Sequence, residues 1–208
     1  MLPIETTTIF FGASIALALA PGPDNVFVLT QSALHGRRAG LYVTLGLCSG
    51  LVAHTAAVSL GVAAIFQTSV LAFNILKTIG AMYLLFLAWQ AFRAGGIKID
   101  ATQDVTMSWR RLYSRGVVMN ISNPKVAIFF LAFLPQFADP RNGSITIQIM
   151  IFGGLFIVAT LLIFGGLAWT AGFLGDRLKQ SARAQKILNR VAGTVFIALA
   201  LRLAMSER

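Results

Sequence analysis

The chain has 208 residues, 57% of them hydrophobic and only 12% charged, about half the charged share of a soluble domain. A soluble fold of this size could not hide so much apolar surface, whereas lipid can act as its solvent. The formal net charge of +10 does not indicate a nucleic-acid binder, because the basic residues sit in short segments between apolar runs and form no basic face. Cys48, the one cysteine, lies inside an apolar run, which excludes an intramolecular disulfide and a multi-cysteine metal site.

No Lys or Arg precedes the first apolar stretch and no clear small-residue cleavage site follows it, so it reads as a first membrane helix and not as a cleaved signal. Helix 1 is expected over about 4–33, interrupted by Pro21-Gly22-Pro23. Nothing is charged between Arg38 and Lys77, too long a stretch for one span. It divides at Gln67-Thr68-Ser69 into helix 2 (about 40–66) and helix 3 (about 70–92). A polar segment runs from Arg93 to Arg115. Helix 4 is expected over about 116–137, interrupted at Asn123-Pro124-Lys125, and a turn follows with Asp139, Pro140, Arg141, Asn142 and Gly143. Helix 5 is expected over about 144–173, a basic loop over 174–190, and helix 6 over about 187–204. The uncharged core of helix 6, Val191 to Leu201, is short, so Arg190 and Arg202 must snorkel to the two interfaces.

With six spans, twelve Lys and Arg residues, in 37–38, 93–115 and 177–190, fall on one side, against Arg141, Arg202 and Arg208 on the other. The first side is then cytoplasmic and both termini face outward, as in a bacterial inner membrane. Trp89, Trp109 and Trp169 fall at the cytoplasmic ends, where an aromatic belt belongs.

The two halves, about 1–95 and 105–208, repeat. Ile75-Leu76 followed by Gly80 resembles Ile187-Leu188 followed by Gly193. Pro21 lies 19 residues before Gly40, as Pro124 does before Gly143. Three helices per half force the halves into opposite orientations, so the expected fold is all-α: a single transporter domain of six transmembrane helices arranged as a 3+3 inverted repeat, its halves joined by a basic cytoplasmic loop at about 93–115.

Matched helix breaks near mid-membrane mark substrate sites in such repeats. Here they are Pro21-Gly22-Pro23-Asp24-Asn25 and Asn123-Pro124-Lys125. Proline cannot continue a helix interior but suits a first helical position, so Pro23 and Pro124 can each open a half-helix, with Asn123 as a cap for the second. Such starts leave backbone N–H groups free to meet a carboxylate. A charge at bilayer depth needs a partner, a cavity or a function. Asp24 and Lys125 are therefore either a structural ion pair between the halves or the two poles of a zwitterion site, Asp24 facing an ammonium and Lys125 a carboxylate. Asp24 also suits a coupling proton, a role for which His54 is a weaker candidate. A lone histidine hydrogen-bonded between helices is the commoner case. Asn25 and Asn120 flank the breaks and either line the cavity or satisfy freed backbone groups. Lys77 reads as a snorkelling residue, and Gln31 and Gln136 as interfacial ones. Gly46-x3-Gly50, Gly12-x3-Ala16-x3-Ala20, Gly153-Gly154 and Gly165-Gly166 read as close helix packing.

Pro21-Gly22-Pro23-Asp24-Asn25, with Asn123-Pro124-Lys125 and the run ending in Leu134-Pro135-Gln136-Phe137, resembles the LysE/RhtB family of amino-acid exporters over essentially the whole chain. The resemblance implies efflux of amino acids or close derivatives, driven by the proton motive force and without a cofactor. With no intramembrane carboxylate beyond Asp24, a neutral amino acid is favoured over a dibasic one. The expected partners are that substrate and the lipid bilayer, with no nucleic acid and with room for a homo-oligomer. A passive small-solute channel is the nearest alternative. A thiol-disulfide electron carrier would need a second cysteine, and an intramembrane enzyme a cluster of reactive groups that His54 and Asp24 do not supply.

Overall fold

Long uncharged runs of Ala, Leu, Ile, Val and Phe become helices, and prolines and two left-handed glycines decide where several of them stop. The structure, a computed structural model, describes residues 2–68, 70–94, 107–180 and 182–205. Met1, Ser69, residues 95–106, Ser181 and residues 206–208 lie outside the described residues, and with them most of the predicted middle loop, Lys98 and Arg208. Among the described residues the α-helices are α1 (Ile4–Leu19), α2 (Pro23–His35), α3 (Arg37–Thr68), α4 (Val70–Arg93), α5 (Trp109–Ile121), α6 (Pro124–Ile128), α7 (Ile145–Gln180) and α8 (Ala182–Met205), with no strand. After α6 the chain continues as a π-helical turn (Phe129–Phe133) and a 3-10 turn (Leu134–Phe137).

The helices pass the breaks expected of the sequence and then run further. α5 begins at Trp109, inside the segment expected to be polar loop, and the expected loop over 174–190 is replaced by the end of α7 and the start of α8. Charge marks where lipid would end, not where a helix must. Arg, Lys, Gln and Ala are good helix formers wherever water can reach their side chains. The matched glycine of the repeat also moves. Gly143 turns the chain with φ +109 and its counterpart in role is Gly36, φ +82, whereas Gly40 is inside α3.

Neighbouring contacts set the direction of each helix. Gly46 lies against Gly116, and Gly50 against Asn120, so α3 and α5 run parallel. Thr55 lies against Gly153 while Gly40 lies against Ala168, so α7 runs against α3. Phe10 packs against Phe152, and Ser32 and Ala168 meet beside Gly40, so the α1–α2 pair runs with α7. Phe92 lies against Gly193 and Leu203 near Gly80, so α4 and α8 are antiparallel. Successive passes thus alternate along the chain. By length and composition α3 over Arg37–Gly61 and α7 over Ile145–Ala171 can cross a membrane. The pairs α1–α2, bent by 62°, and α5 with Pro124–Phe137, bent by 49°, qualify if each is one span.

The side chains are distributed inside out. Asp24, Asn25, Gln31, Asn120, Asn123 and Lys125 are buried, while Leu60, Leu71, Met82 and Leu162 are more than half exposed. That pattern suits a hydrocarbon solvent. At one end Phe10, Phe129, Phe133, Phe137, Phe152 and Phe156 form a continuous aromatic cluster with centroid separations of 4.8–6.0 Å. At the other, Arg37, Arg93 and Arg110 lie over Trp169, Trp89 and Trp109 at 4.6, 4.6 and 5.2 Å. Between them α3 and α5 touch backbone to backbone. A methyl on Gly46 would collide with the Tyr113 carbonyl, and one on Gly116 with the Val43 carbonyl. Gly50 and Gly153 lie close against the side chains of Asn120 and Thr55, but Gly12, Gly154, Gly165 and Gly166 have open space, so they are not the packing positions their spacing suggests.

Candidate functional site

The two breaks meet in space. In the first, α1 ends at Leu19 and Pro23 opens α2, with Gly22 as N-cap in extended backbone and no side chain capping the new helix. In the second, Pro124 opens α6 and the Asn123 side chain caps it, accepting from the Lys125 backbone N–H at 3.0 Å. Gly22-Pro23-Asp24 and Asn123-Pro124-Lys125 therefore occupy equivalent positions, with opposite charges just after the proline.

Each charge is held by the other break. Asn123 Nδ2 donates to Asp24 Oδ2 at 2.8 Å. Lys125 Nζ donates to the carbonyls of Leu17 and Ala20, at 3.1 and 3.0 Å, closing the open end of α1. A cation is unfavourable at the start of its own helix and favourable at the end of another, so the long side chain turns back to α1. No direct ion pair joins Asp24 to Lys125, in contrast to Asp139 and Arg141, whose charged groups meet at 2.7 Å. The simple interhalf ion pair is thus replaced by a network routed through Asn123. Asn25 Nδ2 donates to Ala18 O at 2.7 Å, while its Oδ1 is buried without a partner, as is Asp24 Oδ1.

A cavity of about 380 Å³ opens beside the first break. Pro21, Gly22 and Lys125 line its inner end, Val26, Leu87, Ala91 and Phe196 its apolar walls, and Gln90, Arg93 and Trp89 its mouth. A methyl on Gly22 would stand 3.2 Å from Lys125 Nζ, so glycine keeps the ammonium reachable. The α4 and α8 residues were not legible from sequence, because nothing but tertiary packing sets them over the break. The Trp89–Arg93 stack was readable only as an interfacial belt.

The other expected residues are placed as follows. Pro23 and Pro124 are exposed and act through the backbone, while Asn120 is buried against Gly50. His54 Nε2 lies 3.2 Å from the Asn120 carbonyl and its ring 5.6 Å from Phe130, tying α3 to α5. Lys77 lies two turns into α4. Gln31 is not interfacial: it is 1% exposed, inside the bundle.

An all-helical bundle, among the described residues, with apolar side chains outside and broken, charged helices inside defines a membrane protein. A family model for the LysE type translocator matches residues 15–207, and the chain belongs to that family. It is 35% identical over 194 residues to a homoserine/homoserine lactone efflux protein of Salmonella typhimurium, covering 93% of each chain. It is 28% identical over 198 residues to a leucine efflux protein of an Enterobacter species, covering 90% of each, and 29% identical over 194 residues to a membrane protein of Vibrio cholerae, covering 93% and 94%. No solved structure matches.

Proposed function

We propose that this chain exports an amino acid or close derivative from the bacterial cytoplasm across the inner membrane, with the site at the two breaks. The observation that carries it is the cavity that ends on a buried ammonium, Lys125, beside an uncapped helix start. Two of the three Nζ donors are used on α1 carbonyls, and the start of α2 leaves backbone N–H groups free. Together they can take one carboxylate. Asn25 Oδ1, buried and unpaired just after the uncapped start, is an acceptor for the ammonium of the same molecule. Relatives that export homoserine, its lactone or leucine by name support a small cargo. The apolar walls, and the presence of Lys125 and Arg93 with no carboxylate on the lining, favour a neutral one.

The alternating helix directions support six spans as a 3+3 inverted repeat. The tryptophans stacked with arginines at one end of the bundle, among them Trp89 and Arg93 on the cavity lining, support placing that end, with Arg37, Arg93 and Arg110, in the cytoplasm. The cavity then faces inward and the aromatic cluster closes the outward side, one of the two states of alternating access. Asp24, linked to Lys125 through Asn123, is the group on which proton-motive coupling would act.

The test is efflux from cells preloaded with labelled homoserine, leucine, threonine and lysine, with and without an uncoupler. Saturable, uncoupler-sensitive export of a neutral member is expected. Uncoupler-insensitive, non-saturating leakage would favour the passive channel, and export of lysine alone would overturn the neutral cargo.

A further inference from the structure

Four buried side-chain atoms without a hydrogen-bonding partner sit along one face of α2. They are Oδ1 of Asp24, Oε1 and Nε2 of Gln31, and Nε2 of His35. Positions seven and eleven residues apart stack on one side of an α-helix. The residues around this stripe do not serve it. Phe27 on one flank lies under the Arg115 guanidinium of α5 at 4.7 Å, and Ser32 on the other returns its hydroxyl to the Val28 carbonyl at 2.6 Å. Val28 is fully buried in an apolar cluster with Val43, Leu47 and Phe164. A buried amide is almost always hydrogen-bonded, and where protein offers nothing, water does it. Gln31 leaves both ends of its amide for that purpose while being 1% exposed.

We infer that Asp24, Gln31 and His35 line a file of water along α2, from its Gly36 end to the Asp24 carboxylate. The file is separate from the cargo cavity, because Val26, which lines that cavity, projects from the opposite side of α2. Its mouth is the half-buried His35, beside the exposed Arg37 and Arg38 of α3. The other charged or titratable groups near it are Arg115 on α5, Cys48 on α3 and Lys125 on α6. α7 brings none over Ile145–Ala171, and His54 and Tyr113 are engaged with the Asn120 carbonyl and Ser49. With the cavity facing inward, the protonated Asp24 carboxyl breaks its O–H bond at Oδ1, and the proton passes through water to the His35 end and into the cytoplasm, leaving the file as it was. Asp24 so gives up its proton at the cytoplasmic end, the direction in which the proton motive force drives protons, without competing with cargo for the cavity. The proton's role rests on the exporter reading, but the water file does not.

Single cysteines placed in a Cys48→Ala background decide it. Gln31→Cys, His35→Cys and, as a dry control, Leu47→Cys are exposed in inside-out membrane vesicles to silver ion, a small thiol-reactive cation, and the remaining thiols are counted by maleimide after denaturation. Gln31→Cys and His35→Cys should be blocked at least about tenfold faster than Leu47→Cys. Equal rates at Gln31→Cys and Leu47→Cys in protein that reaches the membrane at wild-type levels overturn the file. In the wild-type background Gln31→Leu should lower uncoupler-sensitive net efflux several-fold while leaving cargo exchange, which moves no net proton, unchanged. Wild-type net efflux from Gln31→Leu would overturn the proton route. If the wild-type protein moves no cargo at all, the exporter reading fails, and the silver result still decides the file.

Discussion

The two helix breaks begin from nearly the same device, a cap residue followed by proline and a charge, and end as different parts. The first has glycine as its cap, stays uncapped and opens onto the cavity. The second has asparagine, is capped from within, and sends its two side chains across to the first. One break therefore offers backbone and space, and the other offers the fittings. Two breaks with the same sequence device thus divide the chemistry between them.

Removing the charges should break this division most severely. Lys125→Met deletes the ammonium at the cavity's end and orphans two α1 carbonyls. Efflux should fall roughly 10- to 100-fold, the ~1.5–3 kcal/mol of a hydrogen bond to a charged group. Asp24→Asn keeps an acceptor for Asn123 and loses only the charge, so melting in detergent should hold while efflux falls by a comparable factor. Normal export from both variants would end the site assignment.

The next effect separates the caps. Gly22→Ala puts a methyl 3.2 Å from Lys125 Nζ in extended backbone that alanine tolerates, so the apparent KM should rise several-fold with little change in stability. Asn123→Ala should do the opposite to first order. It removes a helix cap, typically ~1 kcal/mol, and releases Asp24 Oδ2, so the melting midpoint drops along with efflux. If the two variants behave alike, the breaks are equivalent and the division is wrong.

Away from the site, Gly46→Val would force α3 off α5 where backbone meets backbone and nothing can yield. A cost of about 1–3 kcal/mol, seen as several degrees of thermal midpoint, is expected. The smallest effect belongs to Arg141→Gln at the turn before α7. Hydrogen bonds from Arg141 hold the Asp139 carboxyl below the usual carboxylate range. A depressed carboxyl contributes stability that is present above its ordinary value and lost as pH falls through the folded one. The variant should therefore melt slightly below wild type between about pH 5 and 8, and the difference should vanish in acid as Asp139 is protonated.

Composition alone placed the protein in lipid, because so few charges cannot solvate so much apolar surface. Proline and asparagine chemistry located both breaks and named Asp24 and Lys125, and the paired motifs carried the family. What sequence could not settle were relations between segments far apart in the chain. Gln31 read as an ordinary interfacial residue until α3 and α7 closed over α2. The cavity wall came from α4 and α8, whose apolar residues look alike wherever they face. The direction of Lys125 depended on finding the carbonyl end of α1 beside it. Local propensity and solvent preference act through neighbours in the chain and are written there. Burial, and the partner a buried charge finds, depend on which helices pack together, and tertiary structure decided them.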